Sequence, residues 1–271
     1  MVHFVGAGPG APDLITLRGA GLLEEADQVI YAGSLVNPEL LSRCRPDCLV
    51  LNSAVMTLEE VIEAISEAEE QNRTTVRLHT GDPSVYGAIR EQMDRLDELG
   101  IDYDVTPGVS SFCGAAAALN AEYTLPGVSQ TVILTRMAGR TPVPERESIR
   151  TLAAHGSSMT VFLSAGMLAA LQEELLNGAY MPDTPAALVY KASWPEEKVV
   201  RCTVGTLAER AAKENISKTA LVLVGDFLKE SGGRSRLYAP GFSTEYRRAT
   251  AGAVCAGARD PGAGAEGAVQ S

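Results

Sequence analysis

Short apolar runs alternate with longer amphipathic ones along this chain. In the first half "VHFVG", "DQVIYAG", "CLVLN", "TVRLHTG" and "YDVTPG" are brief β-former runs ending in Gly, Pro or Asn, the pattern of short buried strands. Between them, "TLEEVIEAISEAEEQ" and "SVYGAIREQMDRLDELG" carry apolar residues at helical spacing. In the former, Val61, Ile62 and Ile65 form a stripe opposite Glu59, Glu60, Glu63, Glu67 and Glu70, so the acidic run is a solvated face. Strands alternating with helices predict an α/β fold with a mainly parallel sheet.

After "NAEYTLPGVSQ" a second series follows: "TVILTR", "MTVFLS", "AALVYKAS", "KVVRCTVG" and "TALVLVGDF". The turn in "ASWPEEKVVRC" predicts an antiparallel pair and therefore a mixed second sheet. Two α/β domains are expected, residues 1–124 and 125–247. The last stretch, 248–271, is rich in Ala and Gly with little large apolar content and is expected to be disordered.

Composition narrows the function classes. With 271 residues, 45% hydrophobic and 21% charged, the chain can bury a large core. A net charge of −11 repels nucleic acid and anionic membrane surfaces, and no apolar run approaches the roughly 18 to 20 residues of a membrane helix. The start "MVHFVGAGPG" lacks a basic, apolar leader, and five cysteines (Cys44, Cys48, Cys113, Cys202, Cys255) make an odd set, so the cytoplasm is the expected setting. Isolated His3, His79 and His155 give no metal-ligand spacing, and no metal is expected.

Three glycine-bearing loops and one basic loop carry candidate chemistry. Gly6, Gly8 and Ala11 in "VGAGPGAPD" formally match the dinucleotide fingerprint. Pro9 and Pro12 delay the helix, however, and "VIYAGS" offers no ribose-binding acid, so a tight turn explains the glycines as well as a nicotinamide site does. In "TGDPSVYG" Asp82 can cap a helix with Pro83 at its first position. In "VTPGVSSFCGAAAAL" Ser110 or Ser111 can do the same for a small-residue helix. If the three strands are parallel neighbours, these loops meet at one carboxyl edge, where open α/β sheets place ligands. The loop "TRMAGRTPVPERESIR" gathers Arg136, Arg140, Arg146 and Arg150, suited to carboxylates or simply surface charge. Hydrolytic elbows, phosphate loops and HExxH motifs are absent.

Taken together, "VHFVGAGPGAPDLITLRGAGLLEEADQVIYAGSLVNPELL", "TGDPSVYGAIREQ", "TPGVSSFCGAAAALNAEYTLPGVSQTVILTR" and "AGRTPVPERESIRTLAAHGSSMTVFLSAGM" resemble the tetrapyrrole methyltransferases of cobalamin biosynthesis, over about residues 1–245. Within that group the match, including "YAGSLVNPELL" and "RTPVPE", is closest to members that methylate C11 of precorrin-4 or cobalt-precorrin-4. The resemblance implies two α/β domains, usually in a homodimer, with S-adenosylmethionine in the cleft between them. By analogy Pro9, Thr80, Gly81, Asp82, Val85, Ser110 and Ser111 bind it from the first domain. Leu163, Ser164, Ala192, Thr219 and Ala220 bind it from the second. The related uroporphyrinogen-III enzymes carry a second Gly where this chain has Thr80, which favours a later corrinoid step.

Methyl transfer from a sulfonium to carbon needs no protein nucleophile, so alignment and exclusion of water are the main tasks. Asp82 is the candidate for an electrostatic or acid/base contribution, and Arg136 and Arg140 are candidates for the acceptor's carboxylates. Another tetrapyrrole C-methyltransferase, a nicotinamide oxidoreductase and a non-catalytic tetrapyrrole carrier stand as alternatives.

Overall fold

The computed structural model describes residues 1–229 and 235–250, so the expected tail lies outside the described residues from 251 on, as does Cys255. The first sheet contains β1 (Val2–Gly6), β2 (Gln28–Tyr31), β3 (Leu49–Asn52), β4 (Thr75–His79) and β5 (Tyr103–Thr106). All its pairings are parallel, in the order β3-β2-β4-β1-β5. The three inner strands β2, β4 and β1 are almost wholly buried, as a parallel sheet covered on both faces requires.

The helices follow from their local sequence. α1 (Leu17–Glu25) opens on Thr16, whose hydroxyl accepts from Gly19 N. α2 (Leu58–Glu70) opens with a capping box, Thr57 Oγ1 accepting from Glu60 N at 3.2 Å and Glu60 Oε2 from Thr57 N at 2.7 Å. Its stripe of Val61, Ile62 and Ile65 packs on Phe4 and Ile30, while the five glutamates stay exposed. Burying each such aliphatic side chain stabilises the fold by about 1.5–3 kcal/mol.

One expected helix starts late. α3 spans Arg90–Leu99 and does not begin at Asp82. Tyr86 (φ 58°) and Ala88 (φ 51°) sit in the left-handed region, which a helix cannot continue through. Asp82 therefore caps a turn, accepting from Ser84 N at 2.9 Å, with Val85 N donating to Asp82 O.

The second sheet contains β6 (Val132–Arg136), β7 (Ser158–Phe162), β8 (Pro185–Tyr190), β9 (Lys198–Thr203) and β10 (Ala220–Val224). Its order is β6-β7-β10-β8-β9, with only β6 and β7 parallel, so it is mixed as expected. α5 (Ile149–Ala153), α6 (Leu168–Leu176) and α7 (Leu207–Lys213) cover one face around Met159, Leu171, Leu188 and Val222. The other face is covered by α4 (Ser111–Leu119), although α4 directly follows the first sheet's last strand. Its Ala115 and Leu119 pack with Phe162, Val189, Leu221 and Leu223. This helix starts at the edge of one sheet and ends in the core of the other, which fixes the two layers side by side.

Candidate active site

Three loops converge where β1, β4 and β5 end. Gly8 and Gly81 exchange backbone hydrogen bonds of 3.2 and 2.8 Å. A Cβ on Gly6 would lie 2.5 Å from Gly108 Cα and 2.6 Å from Gly81 O, so only glycine permits this approach. Asp82 closes the third side, its Oδ2 accepting from Gly108 N at 2.9 Å and its Oδ1 from both the N–H and the hydroxyl of Ser84. Burial would raise this carboxyl, but those hydrogen bonds outweigh it and hold the group below its ordinary 3.8. Asp82 is thus an anion at neutral pH, suited to fixing donors and not to delivering a proton.

The second sheet reaches over to the same loops. Trp194 Nε1 donates to Pro9 O at 3.1 Å, Ser193 Oγ accepts from Ala11 N at 2.9 Å, and a Cβ on Gly10 would run into the Trp194 ring. Asn37 Nδ2 adds a bond of 2.9 Å to Gly10 O. The glycines of "GAGPG" therefore serve loop–loop and loop–indole contact. α1 begins only at Leu17, after a 3-10 turn over Pro12–Leu14, so no helix N-terminus stands where a dinucleotide's pyrophosphate would need one.

Between the sheets lies a cleft of about 460 Å³. Of the residues singled out in the sequence, Pro9, Thr80, Gly81, Asp82, Val85, Ser110, Ser111, Leu163, Ala192, Thr219 and Ala220 all line it. Ser164 does not: its fully buried hydroxyl donates to Phe162 O at 2.7 Å and accepts from Met137 N at 3.0 Å, holding the loop behind Leu163. Arg136 and Arg140 are also outside the lining. The Arg136 guanidinium donates to the carbonyls of Met137, Thr141 and Pro142, bracing its own loop, and Arg140 is exposed.

Sequence reasoning missed Leu35, Tyr86, Phe162, Lys191 and Trp194, which also line the cleft. The signal available was the chain's single tryptophan in "KASWPEE", beside a predicted strand end. Backbone strain marks the same place: Tyr86, Leu163 (φ 52°), Lys191 (φ 47°) and Thr219 (φ 54°) are all left-handed and all line the cleft. Such conformations are held only where the surroundings over-determine them, and they gather at ligand sites.

The lining divides chemically. Phe162, Val189, Ala192 and Leu221 give apolar walls. The hydroxyls of Thr80, Ser110, Ser111 and Thr219 make no hydrogen bond to the protein among the described residues. Ser110 is the N-cap of α4 but its side chain makes no cap bond, so the N–H groups of Ser111 and Phe112 at the helix start, beside the cleft, have no partner among the described residues. Such a surface suits a ligand that is part planar and apolar, part polar. Among the described residues no group of three metal-ligating side chains exists, and no helix is long and apolar enough to cross a membrane.

His79, at the end of β4, does not line the cleft and is uncharged at neutral pH. It is buried, Nε2 has no partner, and burial with the charge of Arg77 pushes its pKa from 6.5 down to about 3. The unfolded chain takes up this proton near 6.5 and the folded chain only near 3. Stability is therefore full above that window and falls as the pH drops through it, by up to about 1.4 kcal/mol per unit. His79→Leu should flatten the urea midpoint against pH across this range; the wild-type slope in the variant would assign the dependence elsewhere.

The family model of the tetrapyrrole (corrin/porphyrin) methylases matches residues 1–208. The chain is 52% identical over 248 residues to the cobalt-precorrin-4 C(11)-methyltransferase of Methanocaldococcus jannaschii, covering 91% of this chain and 96% of that protein. A solved cobalt precorrin-4 methyltransferase, a cobalamin biosynthetic enzyme, superposes with a TM-score of 0.82 at 46% identity, over 84% of this chain and 95% of the other. A uroporphyrin-III C-methyltransferase from Thermus thermophilus, complexed with S-adenyl homocysteine, gives 0.71 at 27%, over 84% and 98%. With a matched model over most of its length and a relative above half identity over nine-tenths of it, the chain belongs to the tetrapyrrole (corrin/porphyrin) methylases.

Proposed function

We propose that this protein is an S-adenosylmethionine-dependent C-methyltransferase acting on C11 of precorrin-4 or cobalt-precorrin-4 in cobalamin biosynthesis. The observation that carries the reading is 52% identity over 248 residues, 91% of this chain, with an enzyme named for that reaction. The cleft fits the cofactor: its apolar walls suit an adenine, and the unpartnered hydroxyls with the open start of α4 suit the ribose and the amino-acid end. Gly81, left-handed at φ 59°, puts backbone and no side chain at the wall.

When bound, S-adenosylmethionine supplies a methyl group on a cationic sulfur that leaves as a neutral thioether. The protein's own work is then alignment and exclusion of water. Thr80, Gly81, Ser110 and Ser111 orient from the first sheet, with Pro9, Asp82 and Val85 beside them in the lining. Leu163, Ala192, Thr219 and Ala220 close from the second, and Ser164 steadies Leu163 from the core side. Asp82 contributes a fixed negative charge and the register of its loop. Arg136, the last residue of β6, and Arg140, on the loop that follows, are assigned to the acceptor's carboxylates. In this reading residues 1–124 and 125–247 act as the two domains, the enzyme works as a homodimer in the cytoplasm, and it needs no metal of its own.

Calorimetric titration with S-adenosylhomocysteine, with NAD in parallel, tests the cofactor first. Stoichiometric binding of the former alone, followed by a one-methyl mass gain on precorrin-4 or its cobalt form, is the expected result. Binding of NAD alone would overturn the reading, and which acceptor gains mass decides whether cobalt is already in the ring.

A further inference from the structure

The first sheet holds a buried cation, Arg77, with no carboxylate partner among the described residues. Arg77, in the middle of β4, is 4% exposed, and burial lowers it to about 10, still protonated at neutral pH. Its Nη1 donates to Ile30 O at 2.6 Å and its Nε to Gln92 Oε1 at 2.7 Å. Gln92, itself buried, donates onward from Nε2 to Ala88 O at 3.0 Å. Each link has hydrogen-bond length. An uncompensated buried guanidinium is costly, so its two-bond chain through Gln92 to the Ala88 carbonyl requires a reason.

That carbonyl belongs to the strained turn that presents Tyr86. Tyr86 and Ala88 are both left-handed, and between them a Cβ on Gly87 would lie 2.9 Å from the Pro83 carbonyl carbon. A bulky aromatic at positive φ is an outlier that needs outside support. The Tyr86 ring centroid lies 5.2 Å from that of Phe162 across the cleft, and its hydroxyl, within the field of Arg136 and Glu147, makes no hydrogen bond among the described residues.

Position in the cleft points to the acceptor. Ser110, Val189 and Ala192 are buried at its base, whereas Leu35 (45%), Tyr86 (45%) and Leu163 (66%) form an exposed rim. About 460 Å³ suits one nucleoside-sized ligand, so a macrocycle must lie across that rim. We propose that Tyr86 contacts the tetrapyrrole there, donating its phenolic hydrogen to a polar group of the macrocycle, and that Arg77 and Gln92 are positioning residues that hold Tyr86 through Ala88 O. This inference rests on the methyltransferase reading above.

The test is steady-state kinetics with whichever acceptor the wild type methylates, alongside calorimetry with S-adenosylhomocysteine. Tyr86→Phe keeps the ring and should lower kcat/KM for the acceptor about tenfold, with cofactor affinity within about twofold of wild type. Gln92→Glu keeps the oxygen that Arg77 needs and removes the donor to Ala88, and should give a similar loss. In the Tyr86→Phe background Gln92→Glu should add nothing, because both act through the same hydroxyl. Wild-type kinetics in Tyr86→Phe, or losses that multiply in the double variant as a general structural defect would give, would overturn the inference. A wild type that methylates neither acceptor would instead bring down the underlying functional reading, and the inference with it.

Discussion

Gly108→Ala is expected to abolish S-adenosylhomocysteine binding and to destabilise the protein by about 3 kcal/mol or more. The new Cβ would lie 2.7 Å from Gly6 Cα and 2.9 Å from Gly6 C, and closer still to Gly81 O. All three are backbone atoms, so no side-chain rotation relieves the overlap; one of the three loops has to move. If the β5 loop moves, Gly108 N leaves Asp82, and if the β4 loop moves, Gly81 leaves Gly8. Either displacement reaches Thr80 and Ser110 on the cleft wall. Gly21→Ala is the matched control: in the middle of α1, with nothing within 4 Å of its Cβ position, it should stabilise by up to about 1 kcal/mol. Urea denaturation and calorimetry on both variants decide the matter. A Gly108→Ala protein with the wild-type midpoint would show that the loops have room the packing denies.

This convergence was legible in the sequence because its signals are local. Gly6, Gly81 and Gly108 each follow an apolar run, and a parallel sheet carries the ends of neighbouring strands to one edge. The ten strands among the described residues match the apolar runs to within one residue, and the antiparallel β8–β9 pair follows from the turn at "SWPEE". The positions that were misread depend on distant partners. The spacing of "SVYGAIREQ" runs on as one helix from Ser84, and nothing in it records that the Ala88 carbonyl is bonded to Gln92, or that Arg77 braces Gln92 from a strand. Ser164 sits beside a cleft residue in sequence, yet its hydroxyl turns inward to Met137. The small residues of "GAAAAL" announced a close-packed helix without saying that it packs on the following sheet and not the preceding one.

Asp82→Asn is expected to weaken S-adenosylhomocysteine binding and slow methyl transfer by about tenfold or more, from the loss of one charge-assisted hydrogen bond worth about 1.5–3 kcal/mol. One carboxylate oxygen meets Gly108 N–H, and the other meets the N–H and hydroxyl of Ser84. An asparagine has one oxygen and one NH2, so whichever way it turns, a donor faces a donor. If NH2 faces Ser84, the hydroxyl can rotate to accept but the backbone N–H is left unpaired. If it faces Gly108, the link between the β4 and β5 loops is broken. The pH dependence separates this role from proton delivery. Asp82 titrates below its ordinary value, so its contribution is full above about 3.8 and is lost as the pH falls through the lowered folded value. The wild type should therefore lose stability below that point more steeply than Asp82→Asn, while the pH–rate profile near neutrality keeps the same shape in both. An acid limb near neutrality that vanished in the variant would mean that Asp82 exchanges a proton during turnover, and the purely positional account would fail.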